Sequence, residues 1–365
     1  MARERLDRFL RALAEAEGSD LHVKGGSAPR IRVNGTLHRL EGKEELTSAV
    51  TADMAMAIMR PDVYEHFERY HEADFAYGVE GLGRFRVNVF LQRGSVAMIF
   101  RLVRTGTASF DDLGLPEVVG RLAGEHRGLV LVTGPTGSGK TTTLAAMIDW
   151  INNDREVHVI TIEDPIEVLH RDQLASINQR EIGVDTVDFA AAMRSAMRQD
   201  PDVIFVGEMR DEETVSAALR AADTGHLVLS TLHTTDASET INRIVDFFPP
   251  HQHGQVRATL AGSLKGTICQ RLVPTADGDA RVAVLEVMVV NGRIQQCILD
   301  PQLTGDIQAI IADGEYYGMQ TFDQHLAKLY ERGVIDWAGA LGVASNPHDL
   351  RIMLQQRGLA TAGRT

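Results

Sequence analysis

The chain's 365 residues leave room for about two domains of roughly 150 residues and for a core that needs no staples. With 44% hydrophobic and 24% charged residues it is neither collagen-like, mucin-like nor largely disordered, and two distant cysteines, Cys269 and Cys297, exclude a disulfide framework or a four-cysteine zinc site and suit a reducing compartment. A net charge of −13 counts against gripping a nucleic-acid backbone over a broad surface.

The N-terminus, Met1-Ala2-Arg3-Glu4-Arg5, is charged and leads into a helical pattern with Leu6, Phe9, Leu10 and Leu13, where a secretory signal needs an apolar run. No stretch reaches the roughly 18 consecutive apolar residues of a membrane span, so the expected location is the cytosol or the cytosolic side of a membrane. Strand-like segments follow at 20–24 and 30–34, with Asn34-Gly35 as a hairpin turn signal. A helix is expected over residues 52–70. Residues 83–90 alternate cleanly, with Phe85, Val87 and Val89 on one side and Arg84, Arg86 and Asn88 on the other. A partner strand at 95–103 carries Arg101, with Arg104 just beyond it. Residues 1–103 therefore read as an α+β domain whose sheet has one buried face and one arginine-bearing face.

Residues 104–116 lose all periodicity and collect turn formers, as an interdomain linker does. Beyond them, in the second domain (117–365), short apolar runs at 128–133, 157–162, 203–206 and 227–229 alternate with helical stretches. That pattern predicts buried parallel strands in an α/β sheet with helices on both faces. From about residue 249 the chain reads as mainly helical, apart from 281–290.

The strongest chemical signal is Gly134-Pro135-Thr136-Gly137-Ser138-Gly139-Lys140-Thr141, which fits G-x-x-x-x-G-K-[ST] between an apolar strand and a helix opening at Thr142. Glycines let successive backbone N–H groups turn toward phosphate oxygens, and the following helix presents its positive end to the same anion. Lys140 is placed to reach the β- and γ-phosphates of ATP, and the Thr141 hydroxyl to ligate Mg²⁺. Such a loop needs an acid past the end of a nearby strand. Glu163 and Glu208 both stand there, and Glu208 follows the uninterrupted apolar strand 203–206. A third strand, 226–231, begins at His226 and ends near His233, and both histidines are expected at the catalytic edge, as catalysts or as structural hydrogen-bond partners. Arg86 and Arg101 are candidates for the external positive charge that P-loop motors bring to the γ-phosphate.

Taken together, the P-loop, Ile162-Glu163-Asp164-Pro165-Ile166-Glu167, Val206-Gly207-Glu208-Met209-Arg210-Asp211 and Ser230-Thr231-Leu232-His233-Thr234 resemble the secretion-superfamily hexameric ATPases, and within them the twitching-motility retraction ATPases of type IV pili. Residues 19–23 and 29–35 are similar to that family's N-terminal PAS-like domain, and Gly318-Met319-Gln320-Thr321-Phe322-Asp323 to its C-terminal helix. The resemblance implies a RecA-like P-loop ATPase domain with a helical C-terminal part, Mg-dependent ATP hydrolysis and a homohexamer. It implies Glu208 as general base or water-orienting acid, Glu163 assisting at the metal, His226 at the nucleotide, and Arg86 and Arg101 reaching it from the N-terminal domain. It also implies a cytoplasmic motor, peripheral to the inner membrane at the pilus base, acting on a pilus platform protein and not on nucleic acid. Assembly and secretion motors of the superfamily carry a tetracysteine insert, absent after Gln270-Arg271-Leu272-Val273. The segment 306–313, Asp-Ile-Gln-Ala-Ile-Ile-Ala-Asp, departs from the arginine-bearing helix of principal retraction motors, which leaves principal motor and accessory paralogue both open.

Overall fold

A computed structural model describes residues 1–40 and 44–359. The chain divides into two compact units: Met1–Thr105 with Glu167–Leu169, and Gly106–Ile166 with the chain from His170 onward.

The first unit opens with α1 (Ala2–Glu15), which buries Leu6, Phe9, Leu10 and Leu13 at helical spacing. Strands β1 (Asp20–Lys24), β2 (Arg30–Val33) and β3 (Thr36–Arg39) follow. Val33 pairs with Thr36 across Asn34 and Gly35, whose φ values of 48° and 79° make the two-residue turn that Asn-Gly favours. The helix expected over 52–70 is two helices, α2 (Ser48–Met56) and α3 (Pro61–Tyr70). Pro61 has no N–H to continue a helix, forces Arg60 into an extended conformation, and instead starts α3 at its first position. Then come β4 (Glu72–Val79), which the sequence pattern did not announce, β5 (Gly83–Gln92) and β6 (Ser95–Leu102). The six strands form an antiparallel sheet in the order β3-β2-β1-β6-β5-β4. Phe85, Val87 and Val89 enter a core shared with Leu21, Phe100 and the three helices. A parallel pair completes the unit: β7 (Arg104–Thr105), at the start of the stretch expected to be a linker, and β10 (Val168–Leu169).

The second unit contains α4 (Glu117–Ala123), β8 (Gly128–Thr133), α5 (Lys140–Asp154), β9 (His158–Glu163), β11 (Ser176–Glu181), α6 (Phe189–Ala196), β12 (Val203–Val206), α7 (Glu212–Asp223), β13 (Leu227–Leu232) and α8 (Ala237–Asp246). It continues through α9 (His253–Ser263), β14 (Leu264–Pro274), β15 (Arg281–Val289), α10 (Gly292–Leu299), α11 (Ile307–Ala312), α12 (Phe322–Glu331), α13 (Trp337–Val343) and α14 (Pro347–Gln356). Its sheet runs β11-β9-β12-β13-β8-β14-β15, parallel except for β15. The continuous apolar runs are explained by two cores. Leu129, Leu131, Ile160, Ile162, Ile204 and Val206 face one side, with α6, α7 and the C-terminal helices. The intervening Val130, Val132, Val159, Val203 and Phe205 face the other, with α4 and α5. Residues 264–274, expected to be helical, are instead the longest strand of the sheet. Lys265, Gly266, Gln270 and Arg271 interrupt its apolar pattern, but pairing with β8 and β15 buries most of it.

Candidate functional site

The parallel strands deliver the ends of β8, β9, β12 and β13 to one edge of the second unit's sheet, where ligands of open α/β sheets bind. At the end of β8 the loop from Gly134 to Gly139 turns into α5. Gly134 has φ 142° and Gly139 φ 90°, and a Cβ on Gly139 would lie 2.7 Å from Gln270 Nε2. A Cβ on Gly134 would strike the Gln270 carbonyl. Only glycine fits at both positions.

Gln270 of β14 braces this loop from behind. Its Nε2 donates to Ser138 O at 2.7 Å, and its Oε1 accepts from Thr143 Oγ1 at 2.8 Å, tying the loop to the first turn of α5. It is only 2% exposed. Sequence reasoning missed it because its partners lie more than a hundred residues away; the one signal was an uncharged polar residue between Cys269 and Leu272. Lys140 is buried, and its Nζ donates to Gly134 O at 2.8 Å and Pro135 O at 3.1 Å. Burial lowers its pKa from the usual lysine value. The Ser138 hydroxyl is buried without a hydrogen-bond partner. Thr141 is partly buried and Thr142 exposed. A cleft of about 530 Å³ opens beside the loop, walled by Pro135, Thr136, Arg271, Leu272 and Val343.

The two acids occupy different surroundings. Glu163, the last residue of β9, is buried and accepts from Thr161 Oγ1 at 2.6 Å and Gln179 Nε2 at 3.1 Å. Glu208 lies two residues past β12. Ser230 Oγ donates to Val206 O at 2.8 Å and Thr231 Oγ1 to Gly207 O at 2.7 Å, so β13 pins the backbone that presents it. Its carboxylate is ion-paired with Arg210, which also lies 3.7 Å from Asp164, and its Oε2 is 3.4 Å from His233 Nε2. Burial, then the positive charges of Lys140 and Arg210, lower the His233 pKa. The imidazole beside Glu208 is therefore neutral at neutral pH. Arg210 stood inside a motif without a role; its pairing with Glu208 emerges only from the fold.

The structure brings Lys140, Glu208, His233 and the phosphate loop to one edge, with Glu163 at the end of β9. His226 is a correction. It precedes β13, and Leu227 pairs with Gly128, so it sits at the opposite edge, about 20 Å of strand away. There its Nδ1 is 3.0 Å from Ala221 O at the end of α7. Arg86 and Arg101 belong to the first unit. Arg101 Nε donates to Asp20 Oδ1 at 2.9 Å, and Arg86 lies 3.9 Å from Glu167. Burial pushes the Asp20 carboxyl up, but the Ser19 hydroxyl, Arg101 and Arg32 more than reverse this and hold it below the usual range.

The site's parts can be set beside known proteins. Residues 3–305 match the family model described as Type II/IV secretion system protein. The chain is 40% identical over 349 residues to the type IV pilus ATPase PilU of Pseudomonas aeruginosa, covering 96% of this chain and 91% of that protein. It is 44% identical over 336 residues to the type IV pilus retractation ATPase PilT of the same organism, covering 92% and 97%. A crystal structure of the pilus retraction motor PilT with bound ADP matches with a TM-score of 0.84 at 44% identity, covering 93% of this chain and 97% of that one. The family match runs unbroken through the first unit's sheet, the phosphate loop, Glu163, Glu208 and His233, and the chain is a member of the Type II/IV secretion system protein family.

Proposed function

We propose that this chain is a Mg²⁺-dependent ATPase that powers type IV pilus retraction. The observation that carries the reading is a buried Lys140 in a glycine cradle at the same sheet edge as the Glu208–His233 pair. The cradle fits a nucleotide's phosphates: side chains are excluded at Gly134 and Gly139, and the buried Ser138 hydroxyl lacks a partner. Among the described residues no group of three or more His, Cys, Asp or Glu could cage a metal. Mg²⁺ would therefore be held by the Thr141 hydroxyl together with phosphate oxygens and waters, Glu163 and Glu208 acting in part through water. When bound, it would neutralise charge on the phosphates. Glu208 orients the attacking water and accepts its proton, and neutral His233 holds the carboxylate in place. Lys140, the loop amides and the arginines Arg86 and Arg101 stabilise charge on the γ-phosphate.

The first unit is PAS-like and the second RecA-like, and six copies form the ring that works on a platform protein at the cytoplasmic side of the inner membrane, alone or beside a paralogous retraction ATPase. No helix among the described residues is long and apolar enough to cross a membrane. Against the assembly and type II secretion alternative stands the short connection from β14 to β15, where Thr275 N–H closes a tight turn on Ala280 O at 3.0 Å. The test is steady-state turnover of purified protein, with and without single-stranded DNA. Lys140→Ala should cut kcat by roughly 10²-fold or more. Wild-type protein without turnover would overturn the reading, and marked stimulation by DNA would favour a RecA-like nucleic-acid translocase.

A further inference from the structure

Glu286, on β15, is a carboxylate outside the phosphate site that is only 2% exposed. Its Oε1 accepts the Ala237 N–H at 2.9 Å, at the first residue of α8. The side chain of Gln308, on α11, lies close enough to the same carboxyl to favour its ionised form. Gln308 lies in the segment 306–313 that departs from the principal retraction motors.

The first turn of α8 is in turn bound to the four residues that follow β13. Asp236 caps it, accepting Glu239 N–H at 2.8 Å. Thr235 donates its N–H and hydroxyl to Glu239 Oε2, both at 2.7 Å, and the Thr234 and Thr240 hydroxyls meet at 2.7 Å. The first of these four residues is His233, which faces Glu208. Hydrogen bonds therefore lead from Glu286 to the first turn of α8, and from that turn to Thr234 and Thr235, the chain neighbours of His233.

We propose that Glu286 is a positioning residue for hydrolysis: it ties α11, through Gln308, to the first turn of α8 and so sets His233 against Glu208. The inference rests on the ATP-hydrolysis reading above. Burial raises the Glu286 pKa to about 7, with Asp236 adding to the rise and Ala237 N–H, Gln308 and Arg271 opposing it. The fully buried Cys269 thiol of β14 also faces it. The ionised carboxylate makes a charge-assisted hydrogen bond to the Ala237 N–H and attracts the Gln308 side chain, and the protonated one interacts more weakly with both. The clamp therefore tightens as pH rises through neutrality.

The experiment measures kcat across pH, ADP affinity and melting midpoint for wild type, Glu286→Ala, Glu286→Gln and Gln308→Ala, and repeats Glu286→Ala in a His233→Ala background. Glu286→Ala should lower kcat roughly tenfold with ADP affinity changed by less than about twofold. Glu286→Gln, a mimic of the protonated form, should match wild type in mild acid and lack its rise in kcat through pH of about 7. Gln308→Ala should act in the same direction. In the His233→Ala background Glu286→Ala should have no further effect on kcat. An unchanged pH profile in Glu286→Gln would overturn the proposal even if Glu286→Ala fails to fold. An equally large loss of kcat with and without His233 would overturn it as well. Absence of wild-type turnover would remove both this inference and the ATP-hydrolysis reading, whereas an active wild type with an unaffected Glu286→Ala removes this inference alone.

Discussion

The Glu208 carboxylate is shared between two neighbours, the Arg210 guanidinium and His233, and the role proposed for it requires that it also receive a water. Arg210 supplies charge; the neutral imidazole supplies an N–H without competing for that charge. Glu208→Gln keeps the shape but removes the proposed base. Turnover should fall roughly 10²-fold or more while ADP binding persists, as checked by single-turnover kinetics and ADP titration. Glu163 is held differently, with Thr161 and Gln179 bonded to it. Should Glu208→Gln remain active while Glu163→Gln is dead, the proton-accepting role would pass to Glu163.

Among the elements, β14 decides whether the phosphate loop has a shape at all. Its Gln270 satisfies one loop carbonyl and one helix hydroxyl, both in a buried setting. Gln270→Leu retains bulk but orphans both groups, at about 1–3 kcal/mol for each. The melting midpoint should drop and ADP should stabilise the variant less than wild type, measured by thermal unfolding with and without ADP. The phosphate loop was legible in the sequence because its chemistry is local: eight consecutive residues with a strand before and a helix after. The buried parallel strands were legible because both of their faces are apolar. β14 was not, since Lys265, Gln270 and Arg271 serve tertiary partners and obscure the strand pattern. His226 was misplaced because the motif containing it spans a whole strand, whose two ends lie on opposite edges of the sheet. The break at Pro61 was written plainly enough, but the apolar pattern on either side of it masked the change of helix.

For the whole molecule, the open question is whether the first unit takes part in hydrolysis, and its two arginines are unequal probes. Arg101→Ala removes a partner of the buried Asp20, which alone costs about 1–3 kcal/mol. A slower enzyme could then reflect a loosened sheet. Arg86 makes only a half-exposed pair with Glu167, of the kind worth about 0–1 kcal/mol. Arg86→Ala should keep its melting midpoint close to wild type and still lose kcat by roughly 10²-fold, with ADP affinity intact. Wild-type rates in this variant would reduce the arginine face to a solvated surface.

The strand β10, which belongs to the first unit while lying far along the chain, has a consequence for how the protein is made. A ribosome that has finished residue 105 has made every other strand of that unit but not the partner of β7, which arrives only with Val168 and Leu169. The phosphate loop waits longer still: its glycines and lysine are made before residue 141, yet the residue that braces them is Gln270. During vectorial synthesis the loop therefore exists for about 130 residues without the strand that shapes it, a span on the order of ten seconds at typical elongation rates. The nascent chain carries its nucleotide signature long before it has a nucleotide site, and binding competence arrives late, with the strand that completes the core behind the loop.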